Sequence, residues 1–420
     1  MKVAFVSQPG FAVLPPAGSI EIVTREFARR LAERHDVTIY GSAAPGVADG
    51  TDERVRYRFV AHDRDATIAR GVRPLYRGRR PDRGFFTSPL HQFLYWLRVA
   101  IDIRRGGCDV VHVANLTQAL PVIRLLNPGV RLVLHMHCEW LVQLDERMLD
   151  RRLLHADLIV GCSEHITEPI RRRFPQHAER CRTIYNGVEL RPAVDRSDSG
   201  EAVTLLHVGR ISPEKGHHVL VDALNHVVRE HPEVRLVLVG EESVVPVEWA
   251  VDISHDPAVR DLRRFYGGSY LDQVKHRMSP ELLARTVFTG RIGYEDTARY
   301  YAAADFFVFP SFFEAMPVPP IEAMAAGLPV IASPVGGAVE SIRDGETGVF
   351  VARDDAAALA RAITALVEQP ERRAELGAAG RSRAAEVFSW AGVAAEFEHA
   401  LEGVPHPGRW SATPTVLVTS

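Results

Sequence analysis

Residues 305–333 read DFFVFPSFFEAMPVPPIEAMAAGLPVIAS. The run from Asp305 to Pro310 is short, aromatic and β-branched, so it predicts a buried strand rather than a helix. Ser311 to Val318 then reads as a loop. Pro319 and Pro320 suit a first helical turn, IEAMAA continues it with good helix formers, and Gly327 stops it. PVIAS begins a second apolar run. Strand, loop, helix and strand make one βαβ unit, which implies a parallel sheet covered by helices. Two glutamates, Glu314 and Glu322, stand in this stretch with seven residues between them, in apolar and proline-rich surroundings. The reading puts Glu314 in the loop and Glu322 in the first helical turn, both beyond the carboxyl end of a strand. Open α/β sheets bind their ligands there. Alone, Glu322 would need no ligand, because a carboxylate in a first helical turn is favoured by the helix dipole.

Working outward, the same alternation fills the C-terminal half. VTLLHVG, VRLVLVG, TVFTG and GVFVA read as further strands, and a loop and helix follow the first of them. Residues 241–285 are long for a strand-to-strand connection, and extra helices that shape a cleft or a subunit contact are expected there. The N-terminal half repeats the pattern with KVAFV, DVTIYG, DVVHVAN, VRLVLHMH, DLIVGCS and CRTIYNGV as strands, and a helix over IEIVTREFARRLAER. Residues 191–202, rich in charge, Ser, Gly and Pro, read as a linker. The expected division is 1–195, 196–385, a terminal helix over 386–403 and a frayed tail over 404–420.

Composition excludes several classes. The chain has 420 residues, 46% hydrophobic and 25% charged, with a formal net charge of −3. That is globular, long enough for two domains, and without the basic balance of a nucleic-acid binder. Cys108, Cys138, Cys162 and Cys181 have neither metal-like nor paired spacing, which favours a reducing cytoplasm. No run has the length of a membrane span or a signal peptide. Residues 64–84 carry many arginines, followed by FFTSPLHQFLYWL. Peripheral contact with an anionic membrane is one reading, and a solvated loop leading into a core helix is the favoured one. Asp63 and Asp65 have the spacing of a metal-binding pair. They lie in the basic stretch with no apolar strand before them, so no metal is expected.

HVGRISPEKGHH, His207 to His218, follows the first strand of the C-terminal half. Gly209 permits a tight turn, and Arg210 and Lys215 bracket a loop that opens into a helix. A strand, a glycine turn, two cations and a helix N-terminus make a diphosphate site. The plainer reading leaves both cations on the surface. With a diphosphate at Arg210 and Lys215, Glu322 is placed like the acidic residue that holds ribose hydroxyls in dinucleotide folds. Glu314 then faces the group at the other end, and the implied ligand is a sugar nucleotide.

These motifs together resemble the retaining glycosyltransferases of family 4 (glycosyl transferases group 1). The resemblance is carried by GRISPEKG, RLVLVG and EAMPVPPIEAMAAGLPVIAS, with weaker echoes in PAGSIE, HVAN, LHMHC, IYNGV and FSW. It implies the GT-B fold, two doubly wound Rossmann-like domains with parallel sheets facing across a cleft. It implies a hexosyltransferase that moves a sugar from a UDP-sugar, favoured over a GDP-sugar, to a hydroxyl of a sugar, lipid-linked sugar or small molecule. Arg210 and Lys215 would hold the diphosphate and Glu322 the ribose. Glu314 would contact the transferred sugar, and Gly18 would let its loop approach the phosphates. His137, or His135 in the other register, would face donor sugar and acceptor, and Arg291 would lie against the base. Val318 and Met316 keep their N–H groups for the phosphate or sugar, whereas Pro317 has none. No cofactor and no metal are implied. A sugar-nucleotide epimerase or a non-catalytic sugar-nucleotide binder would share the architecture.

Overall fold

The structure, a computed structural model, describes residues 1–16, 18–44, 46–76, 80–190 and 202–403. The linker read over 191–202 lies, but for Ala202, outside the described residues, as does the tail over 404–420.

Two sheets form, and the α/β reading holds. The first contains β1 (Lys2–Val6), β2 (Asp36–Ser42), β3 (Gly50–Asp52), β4 (Val55–Val60), β5 (Val110–Ala114), β6 (Arg131–Met136), β7 (Leu158–Gly161) and β8 (Cys181–Thr183). Their order is β3-β4-β2-β1-β5-β6-β7-β8. The second contains β9 (Val203–Val208), β10 (Val234–Val239), β11 (Thr286–Phe288), β12 (Phe306–Phe309), β13 (Val330–Ala332) and β14 (Gly348–Phe350), in the order β11-β10-β9-β12-β13-β14. Every pairing in the two sheets is parallel except β3 with β4. The central strands are largely apolar because helices cover both faces; β5, β6 and β12 are buried along their whole length.

This order fixes where a ligand can sit. In the first sheet the chain winds one way from β1 to β2 and the other way from β1 to β5. In the second it reverses between β9 and β12. A crevice opens at the carboxyl ends of the strands that flank such a reversal. The β9 and β12 loops carry Arg210–Lys215 and Glu314. Two loops more than 90 residues apart in the chain therefore become neighbours.

The structure corrects several expectations. Residues 64–84 are not a plain solvated loop: a helix spans Asp63–Val72. A strand, β4, does precede it. Its alternating VRYRFV has polar positions facing out, which hid it from a search for apolar runs. Asp65 is buried, and its carboxylate accepts from the amides of Leu94 and Tyr95 at 2.8 and 3.0 Å. It thus caps the Phe93–Gly106 helix. The strand read over CRTIYNGV stops at Thr183, because Asn186 and Val188 turn to partners in the other half of the molecule. Residues 241–285 do hold the expected extra helices, Val247–Ala250, Pro257–Asp261, Tyr270–Arg277 and Pro280–Ala284.

The Trp390–Gly403 helix packs on the Ser19–Leu31 helix of the first half. The Phe397 ring lies 4.5 Å from that of Phe27, and Trp390 meets Phe27 edge-on at 5.3 Å. The two halves touch again where Trp140 Nε1 donates to the carbonyl of Trp249 at 3.2 Å. Phe86 packs against both indoles.

Candidate active site

Two loops meet at the β9–β12 reversal. After β9 the chain turns through Gly209 and Arg210 to a short 3₁₀ turn, Pro213–Lys215, then enters the His217–Glu230 helix. Gly216, with φ of +71°, lets this turn press against the end of β12: a Cβ there would lie 2.0 Å from the carbonyl oxygen of Pro310. The amide of Phe312 donates to the carbonyl of Glu214 at 2.8 Å, tying the loops together. Lys215 Nζ consequently reaches Glu314 Oε1 at 2.5 Å, with both side chains largely buried. Lys215 also lies 5.4 Å from the centre of the Phe309 ring. A cation and a carboxylate drawn from the two motifs are thus in direct contact.

Arg210 takes a different posture. Its guanidinium donates to Glu214 Oε1 at 2.9 Å and to the carbonyl of Ser243 at 3.2 Å, and its side chain is 43% exposed. Arg291, 57% exposed, pairs with Glu241 at 3.4 Å. No hydrogen bond among the described residues joins Arg291 to the Lys215–Glu314 pair.

The helix after Glu314 begins at Val318, one residue earlier than read from the prolines, with Pro317 as its N-cap. Glu322 is therefore its fifth residue, in the second turn rather than the first. This corrects the simplest account of Glu322, because its carboxylate is not a first-turn charge facing the dipole. Instead Tyr301 donates to Glu322 Oε2 at 2.8 Å, and Tyr294 also hydrogen-bonds it. Burial, reinforced by the Glu322 charge, holds both phenols well above their usual range, so they stay neutral donors. A cavity of about 310 Å³ opens beside Glu322, walled by Val188, Tyr294, Thr297, Tyr301 and Ala326 among others. Its size is within the range of small-molecule sites. Sequence reasoning missed the two tyrosines. Their signal was an aromatic at each end of YEDTARYY, indistinguishable there from core residues.

In the first half, Gly18 is the N-cap of the Ser19–Leu31 helix. Its neighbour Glu21 was quoted in the motif but given no role. Glu21 is 3% exposed, its Oε1 has no hydrogen-bond partner among the described residues, and its Oε2 lies 2.8 Å from where a Cβ on Gly18 would be. Burial pushes its carboxyl up to about 7, against the pull of its own backbone N–H.

The register separates the two histidines. His135, within β6, is completely buried, with Nδ1 3.1 Å from His112 Nε2. Its ring stacks on Phe397. It belongs to the core, which removes it as a cleft residue. His137 lies just past β6, partly exposed, its amide donating to Asn115 Oδ1 at 2.6 Å. Burial pushes its imidazole down to about 4, so it is neutral near pH 7. No hydrogen bond or ion pair among the described residues links it to Lys215 or Glu314.

A family model described as glycosyl transferases group 1 matches residues 195–383, and one for glycosyltransferase family 4 matches residues 20–191. Spore coat protein SA of Bacillus subtilis is 26% identical over 415 residues, spanning 94% of this chain and 97% of that protein. A D-inositol 3-phosphate glycosyltransferase of Streptomyces scabiei is 28% identical, spanning 96% and 89%. Anabaena HepE, solved with UDP and glucose, superposes with a TM-score of 0.67 at 20% identity, covering 96% of this chain and 100% of HepE. Sucrose-phosphate synthase from Thermosynechococcus elongatus gives 0.69 at 23%, covering 96% and 98%. The two solved structures share the two-sheet GT-B fold. The chain belongs to the family 4, group 1 glycosyltransferases. It is an enzyme of the hexosyltransferase type.

Proposed function

We propose that the protein is a metal-independent, retaining transferase that takes a hexose from a UDP-sugar and delivers it to the hydroxyl of a sugar, lipid-linked sugar or small molecule. The observation that carries the reading is the contact between Lys215 and Glu314 at the switch point of the second sheet. It puts a cation for a phosphate and an acceptor for sugar hydroxyls side by side.

In this reading the diphosphate lies over Lys215, Arg210 and the N-terminus of the Val318–Ala325 helix. These charges meet the negative charge that develops on the leaving group. Glu322, oriented by its tyrosines, accepts from the ribose hydroxyls, and Glu314 accepts from the sugar. Gly18 leaves room for the first-half loop beside the phosphates. The bond from the anomeric carbon to the phosphate oxygen breaks while the acceptor oxygen bonds to the same face. The acceptor's proton passes to the departing phosphate oxygen. UDP is the preferred nucleotide because HepE was solved with it. All four cysteines are free, which supports a cytoplasmic enzyme. Among the described residues no helix is long and apolar enough to cross a membrane.

The test begins with thermal shifts across UDP-, GDP-, ADP- and dTDP-sugars. A ligand at a hundredfold excess over its Kd stabilises by about 2.7 kcal/mol, so the true donor stands out. Turnover with that donor should persist in excess EDTA, and the product's NMR spectrum should keep the donor's anomeric configuration. Inversion, activity restored only by Mg²⁺ or Mn²⁺, or epimerisation without transfer would each overturn the proposal.

A further inference from the structure

The loop that carries Glu314 is gripped from both halves of the molecule. Its own half holds it through Arg353, which donates to the carbonyl of Phe312 at 2.8 Å, and through the amide of Gly337, which donates to the carbonyl of Ala315 at 3.1 Å. The other half reaches across to the same segment. Ser163 Oγ donates to the carbonyl of Ala315 at 2.7 Å, and Asn186 Nδ2 donates to that of Met316 at 3.0 Å. Ser163 is completely buried and Asn186 nearly so. Ser163 Oγ also accepts from the amide of Ile166 as the cap of the Glu164–Arg173 helix, which settles the direction of its hydrogen bond to Ala315.

Two further contacts stiffen this junction. Glu340, from the second half, accepts from the amides of Glu164 and His165 at 2.8 and 2.7 Å, at the N-terminus of the helix that Ser163 caps. Val318 packs into the same apolar cluster as Val3, Phe5 and Trp390.

The two carbonyls held from across the cleft belong to the two residues after Glu314. Among the described residues, the only side-chain partner of Glu314 itself is Lys215, from its own half. The carboxylate is thus met from its own half, while the backbone just after it is held from both halves. We propose that Ser163 and Asn186 are positioning residues for Glu314, through which the first half sets how the carboxylate meets the transferred sugar. This rests on the reading of Glu314 as a sugar contact. The physical reason is that a reacting group displaced by about 1 Å loses on the order of a hundredfold in rate, whereas binding of the nucleotide elsewhere need not change.

The experiment compares wild type, Ser163→Ala, Asn186→Ala, the double variant and Ser163→Thr, all as full chains. Hydrogen exchange of the amides of residues 313–316 and 318 comes first, because it needs no activity. It should speed up about tenfold or more in the double variant, as local opening becomes easier. In steady state, kcat should fall about ten- to a hundredfold while the Kd for UDP stays within about twofold, and Ser163→Thr should keep most of the rate. Should the double variant not fold, Ser163→Ala, which removes a single oxygen, carries the same comparison. Unchanged exchange would overturn the grip. Faster exchange with unchanged kcat, or UDP affinity falling in step with kcat, would overturn the positioning role. A wild type that transfers from no sugar nucleotide would instead overturn the function proposed above, and the exchange result would still decide the grip.

Discussion

At the scale of the residue, Glu314 and Glu322 differ in what holds them. Glu322 receives phenol hydroxyls from Tyr301 and Tyr294, while Glu314 receives the Lys215 ammonium. If Glu322 binds ribose, Glu322→Ala should weaken UDP and the full donor alike. Losing one charge-assisted hydrogen bond, about 1.5–3 kcal/mol, means roughly ten- to a hundredfold. Glu314→Ala should leave UDP binding nearly intact and appear in kcat, since the sugar gains charge only on the way to the transition state. Calorimetry with UDP and steady-state rates with the donor separate the two. If both variants bind UDP like wild type, the ribose role is wrong. Both glutamates were legible in the sequence because carboxylates in an apolar stretch demand partners. The tyrosines were not, since an aromatic residue reads the same whether it packs or donates.

At the scale of the element, the first helix carries a buried titratable group in its first turn. The carboxyl of Glu21 is pushed up to about 7 from an ordinary 4.5. Below pH 4.5 both native and unfolded chains hold the proton and the group has no effect. Between 4.5 and 7 the native chain keeps a proton that the unfolded chain has lost, so stability falls as pH rises. The loss is on the order of 3 kcal/mol and is complete above the native value. Two histidines act with the opposite sign at lower pH: His112 and His137, pushed down to about 3 and 4, make stability rise with pH up to about 6.5. Comparing wild type with Glu21→Gln cancels them. The stability of the Gln variant relative to wild type should grow from pH 4.5 to pH 8 in urea titrations. A difference that stays constant over that range would show that Glu21 does not titrate as described. Element existence was largely readable, because buried parallel strands announce themselves as apolar runs. Element boundaries were not, as β4 with its alternating face and the early start of the Val318–Ala325 helix show.

At the scale of the whole molecule, the C-terminal helix ties the end of the chain to the first sheet. Phe397 is completely buried and packs against Phe5, Phe27, His112 and His135. Phe397→Ala removes that aromatic and leaves a cavity, which should cost about 3–5 kcal/mol. The loss should fall on the first half: exchange should quicken in β1 and β5 and remain slow in β9 and β12. Equal quickening in both sheets would show that the molecule opens as one unit. The strands and helices on either side of Phe397 come from opposite ends of the chain, so no local pattern could have disclosed this packing.

The chain's own order of residues determined the class of fold, the two sheets, and the motifs that carry Lys215, Glu314 and Glu322. Each of these is a local matter of apolar period, turn chemistry and charge, which short-range physics writes into neighbouring residues. Tertiary structure alone decided that Lys215 touches Glu314, that His135 is core while His137 lies just past its strand, and that Tyr294 and Tyr301 hold Glu322. It alone brought Ser163 and Asn186 to the Glu314 loop from the other half. The reason is that these contacts join residues tens to hundreds of positions apart. Sheet order and the docking of two halves create them, and neither leaves a periodic trace in the sequence.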